Sequence, residues 1–296
     1  MQQSAEALST GFRWDRNWVI CKPDGTFLTL RTKPQFTRVF PTLLDGQLKI
    51  TYEGMEDLVI PLEAPTAGSG ENAWRPCQVR VWKDHIQALE VPHGASEWFS
   101  TIAGEPCILA TVNPHSIRAL DQKFVASLPW DDPAALSTHF ADGFPYLLVT
   151  DKSHQQVLSW QQGASADDYR RWRPNVVVSG CDAAWEEELW KEIRVGRDDV
   201  RGWIVKQCVR CRATTVNPDK GLLDGDDQPL NTLRQRHSAA YAKEGTAPLF
   251  GVNCLMTMTG KNGDEAAIVR VGDAVSVIAS IEKEEYPPFA PRDGNP

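Results

Sequence analysis

The stretch CVRCRATTVNPDKG, residues 208–221, places two thiols, Cys208 and Cys211, and two guanidiniums, Arg210 and Arg212, within five residues. The β-branched residues Thr214, Thr215 and Val216 follow, and Asn217-Pro218-Asp219-Lys220-Gly221 makes a turn. β-Branched side chains favour extended backbone, so the segment is predicted to continue as a strand. Three chemistries fit the two cysteines. Half of a zinc site needs a second Cys/His pair at suitable spacing, whereas Cys181 and Cys254 stand singly. A redox dithiol needs its cysteines at a helix start, not ahead of a strand. A single metal-ligating thiolate beside cations needs only one of them. Two ordinary cysteines at a strand edge are the plain alternative.

Working outward, the chain has 296 residues, enough for one large domain or two ordinary ones. Hydrophobic residues at 42% and charged residues at 24% describe a soluble globular protein with a real core. A net charge of −8 excludes broad nucleic-acid or anionic-membrane binding, which needs a basic surface. Any anion site must be a local cluster of arginines. Seven cysteines at irregular spacing argue against a disulfide framework and for a reducing compartment. The opening MQQSAEALSTGF carries no basic or apolar leader pattern, and no run approaches the roughly 20 apolar residues of a membrane span. The expectation is a cytoplasmic protein, able to sit on an organelle surface through a partner.

The first third reads as β-structure. Residues 15–21 (DRNWVIC) and 26–31 (TFLTLR) flank a Lys-Pro-Asp-Gly turn, a hairpin pattern. Residues 47–53 and 57–62 repeat it around Gly54, residues 64–75 read as a loop, and 76–82 return to alternation. Trp98, Phe99 and Ile102 share one face of a predicted helix over 95–102. The irregular Pro/Asp-rich span 112–135 holds the domain boundary. Strands are predicted at 146–150, 176–179, 192–195, 201–206, 249–258 and 268–281. Helices are predicted at 152–162, 166–172 and 185–190, with the longest at 229–242 and a disordered tail at 286–296. The fold class is mainly β, two barrel-like domains with peripheral helices, over 1–115 and 130–285.

Further motifs accompany the cysteines. Arg171 and Arg173 with Asn175 stand just ahead of the buried strand VVVS, where they can present cations and an amide to a phosphate or heterocycle. Asp142-Gly143-Phe144-Pro145 makes a tight turn into YLLVT. The ordered series FADGFPYLLVT, RPNVVVSGCDAAWEEELWKEIRVG, CVRCRATTVNPDKG, PLNTLRQRH, PLFGVNCL and VRVGDAVSV resembles the MOSC domain of molybdenum cofactor sulfurases and amidoxime-reducing molybdenum proteins. DRNWVICKPDGTFLTLRTKPQ resembles the β-barrel domain that precedes it in the amidoxime-reducing component. The likeness covers roughly residues 8–280.

This resemblance implies two β-rich domains clasping the molybdenum cofactor, a pterin-bound molybdenum. It implies Cys211 as the metal's protein ligand and a catalytic residue, with Asp142 the acidic catalytic position near the metal. Arg31, Gly143, Arg173, Asn175 and Arg210 are the implied cofactor contacts. Val209 stands where the family often has a small polar residue. The implied activity is reduction of N-hydroxylated substrates such as amidoximes and hydroxylamines. Its implied electron donors are a b-type cytochrome and its flavin reductase. A non-redox cofactor or sulfur carrier, with Cys211 as persulfide acceptor, is the alternative. Pyridoxal phosphate is associated with the superfamily only through a separate sulfurase domain, which these residues do not contain. Relatives imply mitochondrial association as a second localisation. Family members open on a strand of the type Y-P-(I/V)-K-S-C, whose Lys and Ser hold the cofactor phosphate. No stretch here matches it, so the expectation is a first domain short of one strand and weaker cofactor retention. Arg13 or Arg16 is the candidate to replace that lysine.

Overall fold

The computed structural model describes residues 4–64, 73–92, 94–130, 132–161, 169–196, 200–241, 245–258 and 266–281. Much of the expected 64–75 loop, residues 162–168 and the tail over 286–296 lie outside that description.

The first half of the chain forms two antiparallel sheets. One runs in the order Trp18–Cys21, Ile108–Val112, Asp84–Glu90 and Arg75–Val81. The other holds Phe40–Leu44, Gln47–Thr51 and Leu58–Pro61. Period-two patterning drives both: Leu48 and Ile50 point inward from Gln47–Thr51, and Leu58 and Ile60 meet them from the neighbouring strand. The helix Ala95–Ala103 closes this core with Ala95, Phe99 and Ala103. Three strands, Phe40–Leu44, Asp84–Glu90 and Ile108–Val112, were not among the sequence expectations.

The expected strand over 26–31 does not form. Gly25 takes a φ of +83°, and a Cβ there would lie 2.2 Å from the Gln78 carbonyl oxygen, so only glycine lets this turn approach. Arg80 N donates to the Gly25 carbonyl at 2.8 Å, drawing the segment onto the Arg75–Val81 strand. Only isolated bridges, Cys21 to Phe27 and Thr26 to Arg80, remain. A turn closed by Lys33 N on the Thr29 carbonyl then carries Arg31 away from the sheet.

The second half is built on a seven-stranded sheet. Its path is Val176–Val178, Tyr146–Thr150, Gly245–Met258, Val200–Val209, Trp190–Val195, Val275–Ser280, with Ser238–Tyr241 paired to Gly245–Met258. Tyr146–Thr150 is buried at every position, and its pairing with Val176–Val178 is the parallel one. Parallel neighbours need a crossover, and the helix Asp151–Ser159 lies in that connection, capped by the Thr150 hydroxyl on Ser153 N. Ser4–Leu8 pairs antiparallel with Ala267–Arg270, far beyond the expected 112–135 boundary. Tyr146 fastens it: its hydroxyl donates to the Leu8 carbonyl at 2.6 Å and accepts from Leu8 N at 3.0 Å.

Several expected elements change type. The strand predicted beyond Cys211 is a 3-10 turn over Arg212–Thr215, because the Thr214 and Thr215 hydroxyls bond back to the Cys211 and Arg212 carbonyls at 2.9 and 2.8 Å. The helices expected at 166–172 and 185–190 are 3-10 turns at Tyr169–Arg171 and Glu186–Leu189. The helix expected over 229–242 spans Leu230–Arg236, shorter than Ala95–Ala103. It gives way to the strand Ser238–Tyr241, and Ala242 is outside the described residues. The strand expected over 268–281 divides into Ala267–Arg270 and Val275–Ser280, where Gly272 takes φ +92° and the Asp273 carboxylate accepts from Arg270 N.

Candidate functional site

Several of the motif residues, Arg173, Asn175, Arg210, Asp142 and Arg31, are drawn in by contacts where the two β bodies touch. Arg173 is exposed, ends the 3-10 turn side of the loop before Val176–Val178, and holds a left-handed φ of +57°. Its carbonyl accepts from Arg16 at 2.9 Å. Arg16 in turn pairs with Asp15. Crowding by the surrounding protein lowers the Arg173 pKa, and Arg16 pushes the same way; Asp142 and Asp15 oppose this, and Arg210 adds to the lowering. Three guanidiniums thus gather against two carboxylates in a protein whose net charge is −8. Of the two candidates considered to replace the family's lysine, Arg16 joins this cluster, while Arg13 pairs with Glu6.

Arg210 ties the cysteine motif to the same loop. Its guanidinium donates to the Trp172 carbonyl at 2.7 Å and to the Cys208 sulfur at 3.1 Å. Its backbone N–H donates to the Pro248 carbonyl, and its Nε is buried with no partner. Cys211 follows in extended backbone, and its carbonyl is held by the Thr214 N–H and hydroxyl. Burial pushes the thiols of Cys21 and Cys254 up to about 12, Cys77 and Cys181 to about 11, and Cys107 upward as well. Cys208, by contrast, takes a hydrogen bond from the Arg210 guanidinium. Among the described residues, no group of three or more His, Cys, Asp or Glu could hold a metal. A zinc site needs four such ligands or three plus water, and the described residues offer the half-zinc reading no such set.

Asp142 lies on the loop ahead of Tyr146–Thr150, exposed, with Gly143 beside it. Its Oδ1 accepts from the Trp82 indole at 2.8 Å. Arg31, from the first body, lays its guanidinium over the same Trp82 ring, 4.5 Å from the centroid. Sequence reasoning placed Trp82 only at the end of a strand. It also missed Arg118, buried, which donates to the carbonyls of His139, Ala141 and Asp142 and to Asp84. No local sequence signal marks Arg118, because its burial and its partners exist only in the folded chain. Asn175 is partly committed to scaffolding. Its Oδ1 accepts from Leu147 N at 2.9 Å and its Nδ2 donates to Asp15 at 2.6 Å.

The donor set fits an anionic cofactor bearing a soft metal. Arginine cations converge with an unsatisfied buried N–H, and one thiol motif stands beside them; a buried donor without a partner is costly unless a ligand accepts from it. Two β bodies meeting at such a cluster define a MOSC-type protein with a barrel domain ahead of it. The comparisons agree: the MOSC N-terminal beta barrel domain matches residues 1–106 and the MOSC domain residues 135–276. Mitochondrial amidoxime-reducing component 1 of Xenopus laevis is 30% identical over 278 residues, 92% of this chain and 74% of that protein. Component 1 of Mus musculus is 28% identical over 93% of this chain and 76% of its own length, and component 2 of Homo sapiens 27% over 92% and 76%. The chain belongs to the MOSC family that includes the mitochondrial amidoxime-reducing components. No helix among the described residues is long and apolar enough to cross a membrane.

Proposed function

We propose that this protein is a molybdenum-cofactor oxidoreductase that reduces N-hydroxylated substrates such as amidoximes and hydroxylamines. The observation that carries it is the convergence of Arg16, Arg173 and Arg210 with the buried, unpartnered Arg210 Nε beside the Cys208–Cys211 motif. Cys211 supplies the thiolate ligand. Arg173 and Arg210 hold the cofactor's phosphate and pterin, Arg31 reaches them from the first body, Gly143 leaves room at the loop, and Asn175 fixes that wall. When bound, such a cofactor supplies the two-electron change that removes oxygen from the substrate. Asp142, exposed at the junction, holds or releases the proton the substrate exchanges. Electrons come from a b-type cytochrome and its flavin reductase.

The test compares Cys211→Ala with Cys208→Ala. A thiolate ligand bonds the metal, whereas a neighbouring thiol only tunes it. Reduction of an aryl amidoxime with the reconstituted donors is expected to vanish in Cys211→Ala, with folding intact, and to persist in Cys208→Ala. Protein that binds the cofactor without any reduction would favour the carrier alternative. Equal losses in both variants would contradict the single-thiolate reading.

A further inference from the structure

We propose that Trp82 is a positioning residue that sets Arg31 and Asp142 relative to one another across the junction of the two β bodies. The proposal rests on the functional reading above. Trp82 occupies the tip of the hairpin between Arg75–Val81 and Asp84–Glu90. It holds a φ of +56°, a left-handed conformation that a bulky side chain rarely adopts and glycine or asparagine would take more readily. Arg16 and Arg173, at φ +54° and +57°, share that conformation. Arg16 bonds the Arg173 carbonyl and Trp82 bonds Asp142; such strain persists where surrounding structure fixes it, commonly at functional sites.

The Trp82 side chain contacts both bodies. Its indole N–H donates to Asp142 Oδ1 at 2.8 Å. Its ring carries the Arg31 guanidinium at 4.5 Å, an attraction between a cation and the negative ring face. Phe27 packs edge-on against the ring, centroids 5.0 Å apart, and fixes its plane. Two residues on, Asp84 bonds Arg118, whose guanidinium holds the carbonyls of His139, Ala141 and Asp142. One hairpin tip thus grips the Asp142 loop by backbone and by side chain. If the tip only packed the bodies together, a phenyl ring would serve as well as an indole. The N–H aimed at a carboxylate separates the two cases.

Trp82→Phe keeps the ring under Arg31 and removes the N–H; Trp82→Leu removes both. Trp82→Phe is expected to keep molybdenum and pterin content within about twofold of wild type while kcat falls about tenfold, the loss of one hydrogen bond to a charged group. In an Asp142→Asn background the same change is expected to cost less than about twofold, since contacting residues are non-additive. Trp82→Leu is expected to lower cofactor content as Arg31→Met does. Independently of any cofactor, the Trp82 indole N–H resonance of nitrogen-15-labelled protein, assigned by its absence in Trp82→Phe, is expected to shift and exchange faster in Asp142→Asn. Wild-type kcat in Trp82→Phe, equal losses in both backgrounds, or an unmoved indole resonance would each overturn the proposal. A wild-type protein that binds no molybdenum would overturn the function proposed above, and the resonance would still decide the contact.

Discussion

At the scale of single residues, Arg173 shows how the site is assembled from distant pieces. Its carbonyl is held by Arg16, 157 positions earlier, and Asp142, Asp15 and Arg210 act on its charge. Gathering guanidiniums is unfavourable until an anion joins them, and a charge-assisted hydrogen bond to that anion contributes about 1.5–3 kcal/mol. Arg173→Ala is expected to lower molybdenum and pterin content at least tenfold, and Arg173→Lys to restore it only in part, because the planar fork is lost. Normal content in Arg173→Ala would remove this residue from the site. Arg31, Arg173, Arg210 and Cys211 could be named as candidates from the sequence because each sits in a short ordered motif. Trp82 and Arg118 could not, and Arg16 only as a stand-in for the family's lysine: their partners lie 60, 21–34 and 157 positions away, and local pattern carries no such information. The side-chain bonds of Asn175 to Leu147 and Asp15 were likewise invisible.

At the scale of elements, strands were legible where burial is two-sided or strictly alternating. Tyr146–Thr150 and Gln47–Thr51 are the clear cases. The reading failed where hydroxyls compete for the backbone, as Thr214 and Thr215 do after Cys211. The 3-10 turn Glu186–Leu189 was taken for a helix because its residues suit one; the strand Trp190–Val195 begins at once and cuts it short. That turn buries Glu187 completely. Its Oε2 accepts from the Thr150 and Ser153 hydroxyls at 3.0 and 2.8 Å, while Oε1 is buried without a partner. Burial raises its pKa, the two hydroxyls oppose this, and Glu188 adds to the rise. A raised carboxyl favours the folded state fully below the ordinary value of about 4.3, and that contribution is lost as pH climbs through the folded-state pKa. Glu187→Gln is therefore expected to gain stability over wild type as pH rises from about 4 to 7.5. Urea unfolding at several pH values checks it. A difference that stays constant with pH would show that Glu187 does not titrate in this range.

At the scale of the whole molecule, the proposed site depends on the meeting of two β bodies. The first body carries Arg31 and the Trp82 hairpin, the second Asp142 and Arg173, and Asp15 and Arg16 bond across to Asn175 and Arg173; on the reading proposed above, Arg210 and Cys211 complete the site. The mainly β architecture was legible from alternation and turns. The strand Ser4–Leu8 pairing with Ala267–Arg270 was not, since nothing local announces a partner more than 250 residues away. The central claim is that this junction holds a molybdenum cofactor through Cys211. X-ray absorption at the molybdenum edge, on protein produced with its cofactor, tests it most directly. The wild type and Cys208→Ser are expected to show the same sulfur shell around molybdenum, and Cys211→Ser one sulfur neighbour fewer. An unchanged sulfur shell in Cys211→Ser, or wild-type protein without molybdenum, would contradict the account.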